Sequence, residues 1–308
     1  MRRLLIDTDT ASDDAVALVM ALMADDAEVE AITVVAGNVP LDAAVQNALY
    51  TRELCGSDVP VHAGLAAPLL RDLETAQNVH GVDGMGDIGL PLSGRTADDG
   101  HAVDVLTDRI MSSDGSLTLV TLGPLSNVAT ALLKTPELAR RVERCVVMGG
   151  AGAGPGNVSR LAEFNLWADP EAARIVFRSG LPLTMVGWDM STRFATFSPA
   201  QAAEIRAIGT PLAEFTMDIQ AVVHEYATTE SHLDGFDLPD PIAMAVALEP
   251  ECAVTAHHHV EIGIGDGHDR GKDIVDWLGS TGQEPNTEVA ITVDRDRFVG
   301  RLRAAVGG

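Results

Sequence analysis

MRRLLIDTDTASDDAVALVMAL, residues 1–22, sets a short apolar run ahead of a longer one, with Asp7, Asp9, Asp13 and Asp14 crowded between them. The first run, Leu4–Ile6, reads as a strand. The second, Asp14–Met23, carries Val16, Val19, Met20 and Met23 at helical spacing. A buried strand followed at once by a buried helix opens an α/β unit. In open α/β sheets, ligands sit beyond the carboxyl ends of the strands. The aspartates fall at such an edge.

The same alternation continues along the chain. Ile32–Val35, Leu117–Leu122 (LTLVTL), Cys145–Met148 (CVVM) and Leu183–Val186 (LTMV) read as strands. Unbroken apolar runs of this kind suit a parallel sheet covered on both faces. Asp42–Leu54 reads as a helix. So does Ala172–Arg178, with Asp169 as its N-cap, Pro170 at the first position and Glu171 in the first turn. Farther on, Pro211–Ala227 and Pro241–Leu248 read as helices, and Ala253–Gly263 and Glu288–Val293 as strands. With no Pro/Ser-rich linker and no repeat, the expectation is one domain over 1–308. Its class is α/β, with an open central sheet flanked by helices.

Composition narrows the function. The 308 residues are 46% hydrophobic, enough for a large core. The longest apolar stretch, Ala15–Ala24, is too short to cross a bilayer. Arg2 and Arg3 precede only a short apolar run before Asp7, which is no secretory pattern. A cytoplasmic location is expected. Cys55, Cys145 and Cys252 are widely spaced and form no zinc pattern, so buried free thiols are expected. A net charge of −24, with Lys134 and Lys272 as the only lysines, argues against nucleic-acid and anionic-membrane partners.

The aspartate cluster has a plain reading and a sharper one. Ser12 or Asp13 can cap the helix, and acidic side chains favour its positive end. Capping explains one or two of the aspartates and leaves the others. Like charges about 4 Å apart repel by roughly 4 kcal/mol at an effective dielectric near 20. A cation turns that repulsion into attraction, and all-carboxylate ligation suits a hard ion such as Ca²⁺ or Mg²⁺. A phosphatase of the haloacid-dehalogenase type would instead use Asp7 of Asp7-Thr8-Asp9 as nucleophile, with GDGHD (265–269) as a late acidic motif. That alternative leaves Asp13-Asp14 without a purpose.

IDTDTASDDAVAL (6–18) closely resembles the DxDxxxDD signature of the nucleoside hydrolases, the inosine-uridine-preferring and related N-ribohydrolases. Further segments resemble that family in the same order. They are Val35–Asn38, TLGPLSNVATAL (121–132), VVMGGAG (146–152), AEFNLWADPEAA (162–173), MVGWDMS (185–191), LPDPIAMAVALEP (238–250) and VDWLGSTGQEPNTEVAITVD (275–294). The resemblance spans nearly the whole chain.

It implies one α/β domain with an open, mixed, mostly parallel central sheet flanked by helices, and hydrolysis of the N-glycosidic bond of ribonucleosides with a tightly bound Ca²⁺, in a homodimer or homotetramer. Carried across, Asp9 is metal ligand and general base. Asp14, Asp240 and the main-chain carbonyl of Leu122 complete the protein's metal ligands. Asp13 accepts a ribose hydroxyl, with Asn38 and Asn165 toward the 2′ and 3′ side. Asn157 and Glu163 hold the 5′-hydroxyl, Met148 lines the sugar pocket, and Asp7 supports the cluster from behind. Taken singly, several have ordinary explanations. Asn38 follows Gly37 in a turn, Glu163 and Asn165 precede a helix, and Asp240 before Pro241 looks like an N-cap.

One position departs from the family pattern. Inosine-uridine-type members place a histidine directly before the distal metal aspartate to protonate the leaving base, and here that residue is Pro239. His80, His224, Tyr226 and His232 are base-side candidates. Of the tryptophans Trp167, Trp188 and Trp277, none falls beside Asp240 in sequence. A non-catalytic ribonucleoside-binding protein is therefore a further alternative.

Overall fold

The computed structural model describes residues 1–307. Its strands are β1 (Arg2–Thr8), β2 (Ala27–Val34), β3 (Val61–Ala63), β4 (Leu117–Thr121), β5 (Arg144–Met148), β6 (Leu183–Val186), β7 (Thr196–Phe197), β8 (Phe236–Asp237), β9 (Ala253–His258), β10 (Val260–Ile262), β11 (Asp273–Val275) and β12 (Thr287–Val293). The main sheet has the order β3-β2-β1-β4-β5-β6-β12-β9. Its pairs are parallel except β9 against β12 at the edge. The expected mixed, mostly parallel α/β sheet is the observed one.

The order matters for function. From β1 the chain winds outward through β2 and β3, then returns to place β4 on the other side of β1. A crevice opens where the winding reverses, beyond the carboxyl ends of β1 and β4. Asp9 directly follows β1, and Leu122 directly follows β4.

Two helices sit deep in the core. Ser12–Leu22 is buried from Ser12 to Ala21, and Pro239–Leu248 is buried from Asp240 to Leu248. Their small and branched residues let them pack closely. Burying each of Val16, Leu18, Ile242 or Met244 contributes about 1.5–3 kcal/mol. Their N-termini meet at the crevice, so two positive helix ends face the same point.

Some expected boundaries shift. Pro211–Ala227 is two helices, Pro211–Asp218 and Ala221–Thr229, broken at Ile219-Gln220. Ala253–Gly263 divides at His259 into β9 and β10, which belong to different sheets. Asp240 is not an N-cap: the helix begins at Pro239 and Asp240 lies within its first turn. Nor do Ser12 or Asp13 cap the first helix. Ala11 holds that position, and its N–H donates to Asp14 Oδ2 at 3.0 Å. Asp169 does cap its helix, accepting from the Ala172 N–H at 3.1 Å. No described helix is long and apolar enough to cross a membrane.

Candidate active site

The crevice gathers Asp9, Asp13, Asp14 and Asp240, each at most 6% exposed. One carboxylate oxygen from each of Asp13, Asp14 and Asp240 lies within 4.8 Å of the others. Asp9 belongs to the same group, because its charge and theirs oppose one another. Local bonds hold these side chains. Thr8 Oγ1 donates to Asp14 Oδ1 at 2.5 Å, and the Asn38 N–H donates to Asp9 Oδ2 at 2.6 Å. Asn38 Nδ2 reaches Asp14 Oδ2 at 3.4 Å. Glycines make room for Asp9: a Cβ on Gly37 would lie 2.1 Å from its Oδ2, and one on Gly123 2.5 Å from its Oδ1.

Burial is the main force on these acids. It pushes Asp13 up to about 7 and Asp14 up to about 6, and raises Asp9 and Asp240 well above the usual carboxylate range. Mutual repulsion among the four adds to the effect. Asp9 Oδ1 and Asp13 Oδ1 are buried without a hydrogen-bond partner. Unpartnered buried carboxylate oxygens are costly. Among the described residues, no lysine or arginine lines the cavity. Crowded oxygens, orphaned acceptors and no protein cation fit a hard divalent ion. The Leu122 carbonyl, on the cavity floor, adds a neutral oxygen.

The cavity holds about 330 Å³, the size of a small-molecule site. Asp13, Leu122 and Asp240 line it, and Asp9 and Asp14 are buried next to them in the carboxylate cluster. Asn38, Met148, Asn157, Glu163, Asn165, His80 and Tyr226 also line it. Asn165 Nδ2 donates to the Leu122 carbonyl at 2.7 Å and aims that group. Glu163 accepts the N–H groups of Gly150, Asn165 and Leu166, so it also caps the helix Phe164–Ala168. Burial nonetheless raises it to about 7. Asn157 Oδ1 accepts the Phe164 N–H at 2.9 Å and ties down the loop. A larger cleft, about 1020 Å³, opens elsewhere, among residues such as Arg2, Arg144 and Glu288 at the start of the strands. It contains none of these acids.

Other expectations are corrected. His224 and His232 do not line the cavity. His224 stands edge-on to Phe236, ring centroids 6.2 Å apart, and His232 is exposed. His80 is in the cavity, yet burial pushes it down to about 4, so the ring is neutral. Its Nδ1 lies 2.9 Å from Ser12 Oγ and 3.6 Å from Asp13 Oδ1.

Asp7 lies behind the cluster, not in the cavity. Its Oδ1 accepts from Thr33 Oγ1 at 2.6 Å and Asn127 Nδ2 at 2.9 Å. With Oδ1 held by two donors and burial raising the carboxyl to about 7, Asp7 gives the phosphatase alternative no support. Sequence reasoning missed Asp237 and set Trp188 aside, although both line the cavity. The indole Nε1–H of Trp188 donates to Asp237 Oδ2 at 2.9 Å. Trp167 lines it as well, and Trp277 does not.

Residues 4–300 match the model of the inosine-uridine preferring nucleoside hydrolase family. The chain belongs to this family. It is similar to the pyrimidine-specific ribonucleoside hydrolase RihB of Escherichia coli (strain SE11), 37% identical over 100% of this chain and 97% of RihB. Among solved structures it is similar to the purine-preferring ribonucleoside hydrolase of Gardnerella vaginalis. That match has a TM-score of 0.92 and 34% identity, covering 100% of this chain and 98% of that one. The plant nucleoside hydrolase PpNRh1 also superposes with a TM-score of 0.92, at 31% identity over 100% and 99% of the two chains. The family member described here is a ribonucleoside hydrolase, acting on the N-glycosidic bond. Its relatives divide between pyrimidine and purine bases, so likeness alone does not assign its preference.

Proposed function

We propose that this hydrolase binds Ca²⁺ at Asp9, Asp14, Asp240 and the Leu122 carbonyl, and releases ribose and free base with Asp9 as general base. The observation that carries the reading is the orphaned Oδ1 of Asp9 inside a buried carboxylate cluster. A hard divalent cation there supplies charge that orders sugar hydroxyls and eases the loss of a proton from water.

The chain's own groups do the rest. Asp9 Oδ1 takes the proton as water attacks the anomeric carbon. Asp13 accepts a ribose hydroxyl, and Asn38 and Asn165 steady the 2′ and 3′ side. Glu163 Oε1 accepts only the Asn165 N–H, so it has capacity left for the 5′-hydroxyl alongside Asn157. Met148 packs on the sugar. The carboxylates below stabilise the oxocarbenium-like charge that develops on the ring. The reading extends to an assembly of two or four copies, which sedimentation measures. A reducing, cytoplasmic setting suits the free cysteines Cys55, Cys145 and Cys252.

The test is ribose release from a panel of purine and pyrimidine nucleosides, with Ca²⁺ and after chelation. Asp9→Asn lowers kcat by roughly 10²–10⁴-fold. Turnover that survives both chelation and Asp9→Asn sinks the proposal. The second reading, a nucleoside binder without turnover, is favoured by Pro239 standing where an acid is expected. It requires calorimetric binding of nucleoside with no ribose formed.

A further inference from the structure

We propose that Asp237 meets the leaving base and gives it a proton as the glycosidic bond breaks. The proposal rests on the hydrolase reading above and supplies the group that Pro239 cannot.

The placement comes first. Asp237 ends β8, lines the cavity and is 8% exposed. It follows the segment that brings Tyr226 and Ser231 to the cavity. The orientation comes second. Trp188 Nε1–H and Ser191 Oγ–H donate to the same oxygen, Oδ2, at 2.9 and 2.5 Å. Among the described residues, none donates a hydrogen bond from elsewhere in the chain to Oδ1. With Oδ2 used by two donors, a proton on the carboxyl belongs on Oδ1.

The titratable groups facing Asp237 are Asp13 and His80. Burial raises the carboxyl's pKa above the usual range, while Trp188, Ser191 and His80 oppose the rise. A carboxyl whose pKa is raised by burial suits a general acid.

The competing donors are weaker. His80 is a neutral ring whose Nδ1 is already engaged with Ser12. Pro239 has no proton to give. Tyr226 lines the cavity, but among the described residues nothing hydrogen-bonds its hydroxyl to set its direction.

In the step, the C1′–N bond breaks and its electron pair passes to the base. The Oδ1 proton of Asp237 moves to the base. Water forms the new C1′–O bond and its proton goes to Asp9. Asp237 ends ionised and Asp9 protonated, and exchange with solvent resets both.

Asp237→Asn tests this. The amide oxygen still accepts from Trp188 and Ser191, but the side chain has no acidic proton. The substrates are uridine, inosine and p-nitrophenyl β-D-ribofuranoside, whose phenolate departs without protonation. Expected is a fall in kcat on the nucleosides of about 10²-fold or more, with KM and p-nitrophenyl riboside turnover changed by less than about threefold. Parallel losses on both substrate types mean a structural role and overturn the proposal. Unchanged nucleoside turnover also overturns it. A parent enzyme that cleaves none of the substrates removes the hydrolase reading, and this proposal with it.

Discussion

Gly37 lies so close to Asp9 that a Cβ on it would stand 2.1 Å from the carboxylate Oδ2. The glycine is needed here for space, and the backbone next to it supplies the Asn38 N–H that holds the same oxygen. Gly37→Ala must push Asp9 aside. Misplacing a reacting group by about 1 Å can cost 10²-fold in rate. We expect a loss of that order in ribose release, with overpacking costing about 1–3 kcal/mol of stability. Steady-state kinetics beside a melting curve separates the two effects. Near-parent activity would show that Asp9 tolerates displacement.

The cation-free protein is expected to lose stability as pH rises. Burial lifts Asp7 and Asp13 to about 7 and Asp14 to about 6, from 3.8 in an unperturbed aspartate, and Glu163 to about 7 from 4.5. A raised acid stabilises the fold fully below its unfolded pKa. That contribution disappears as pH climbs through the folded value. The melting temperature of chelated protein therefore falls between about pH 4 and 7, the interval between the unfolded and folded values of these acids. Added Ca²⁺ removes the part of the fall owed to its ligands, Asp14 among them, because binding displaces their protons. Identical curves with and without the ion would count against the carboxylates as its site.

Asn127 is a structural counterpart to the site. Its Nδ2 bonds Asp7 Oδ1 at 2.9 Å and the Val34 carbonyl at 3.1 Å, and its Oδ1 accepts the Leu65 N–H at 2.9 Å. Asn127→Ala strands three buried or half-buried groups at once. At about 1–3 kcal/mol for each unsatisfied group, the variant unfolds at much lower denaturant. A loss of unfolding free energy below about 0.5 kcal/mol would mean that water replaces the amide.

Glu163→Gln probes the loop over the sugar pocket. Three backbone N–H groups point at this side chain, from Gly150, Asn165 and Leu166. An amide must aim its own N–H at one of those donors. The loop should loosen, raising KM several-fold with a smaller change in kcat. A pure kcat effect would place Glu163 in the chemistry instead.

Much of this architecture was readable because the central strands are apolar on both faces. Leu183–Val186 was delimited to the residue, and Cys145–Met148 to within one. Errors arose where local signals compete. Asp240-Pro241 has the look of a cap and first-turn proline, but Pro239 already starts that helix. The run from Ala253 continues in β propensity past His259, where the backbone changes sheets. Trp188 and Asp237 were hidden for a different reason. They are 49 residues apart, and only folding brings the indole to the carboxylate.

The cluster's acids come from the chain near residue 9 and from Asp240, on opposite sides of most of the sequence. Such a site does not exist until the helix Pro239–Leu248 has docked against the helix Ser12–Leu22 and β5. A bound cation can therefore brace only states in which that long loop is already closed. If docking follows the rate-limiting step of folding, the ion leaves the folding rate alone and slows unfolding. The acid cluster would then act as a latch on the finished molecule: a clamp on its lifetime and no guide to its assembly.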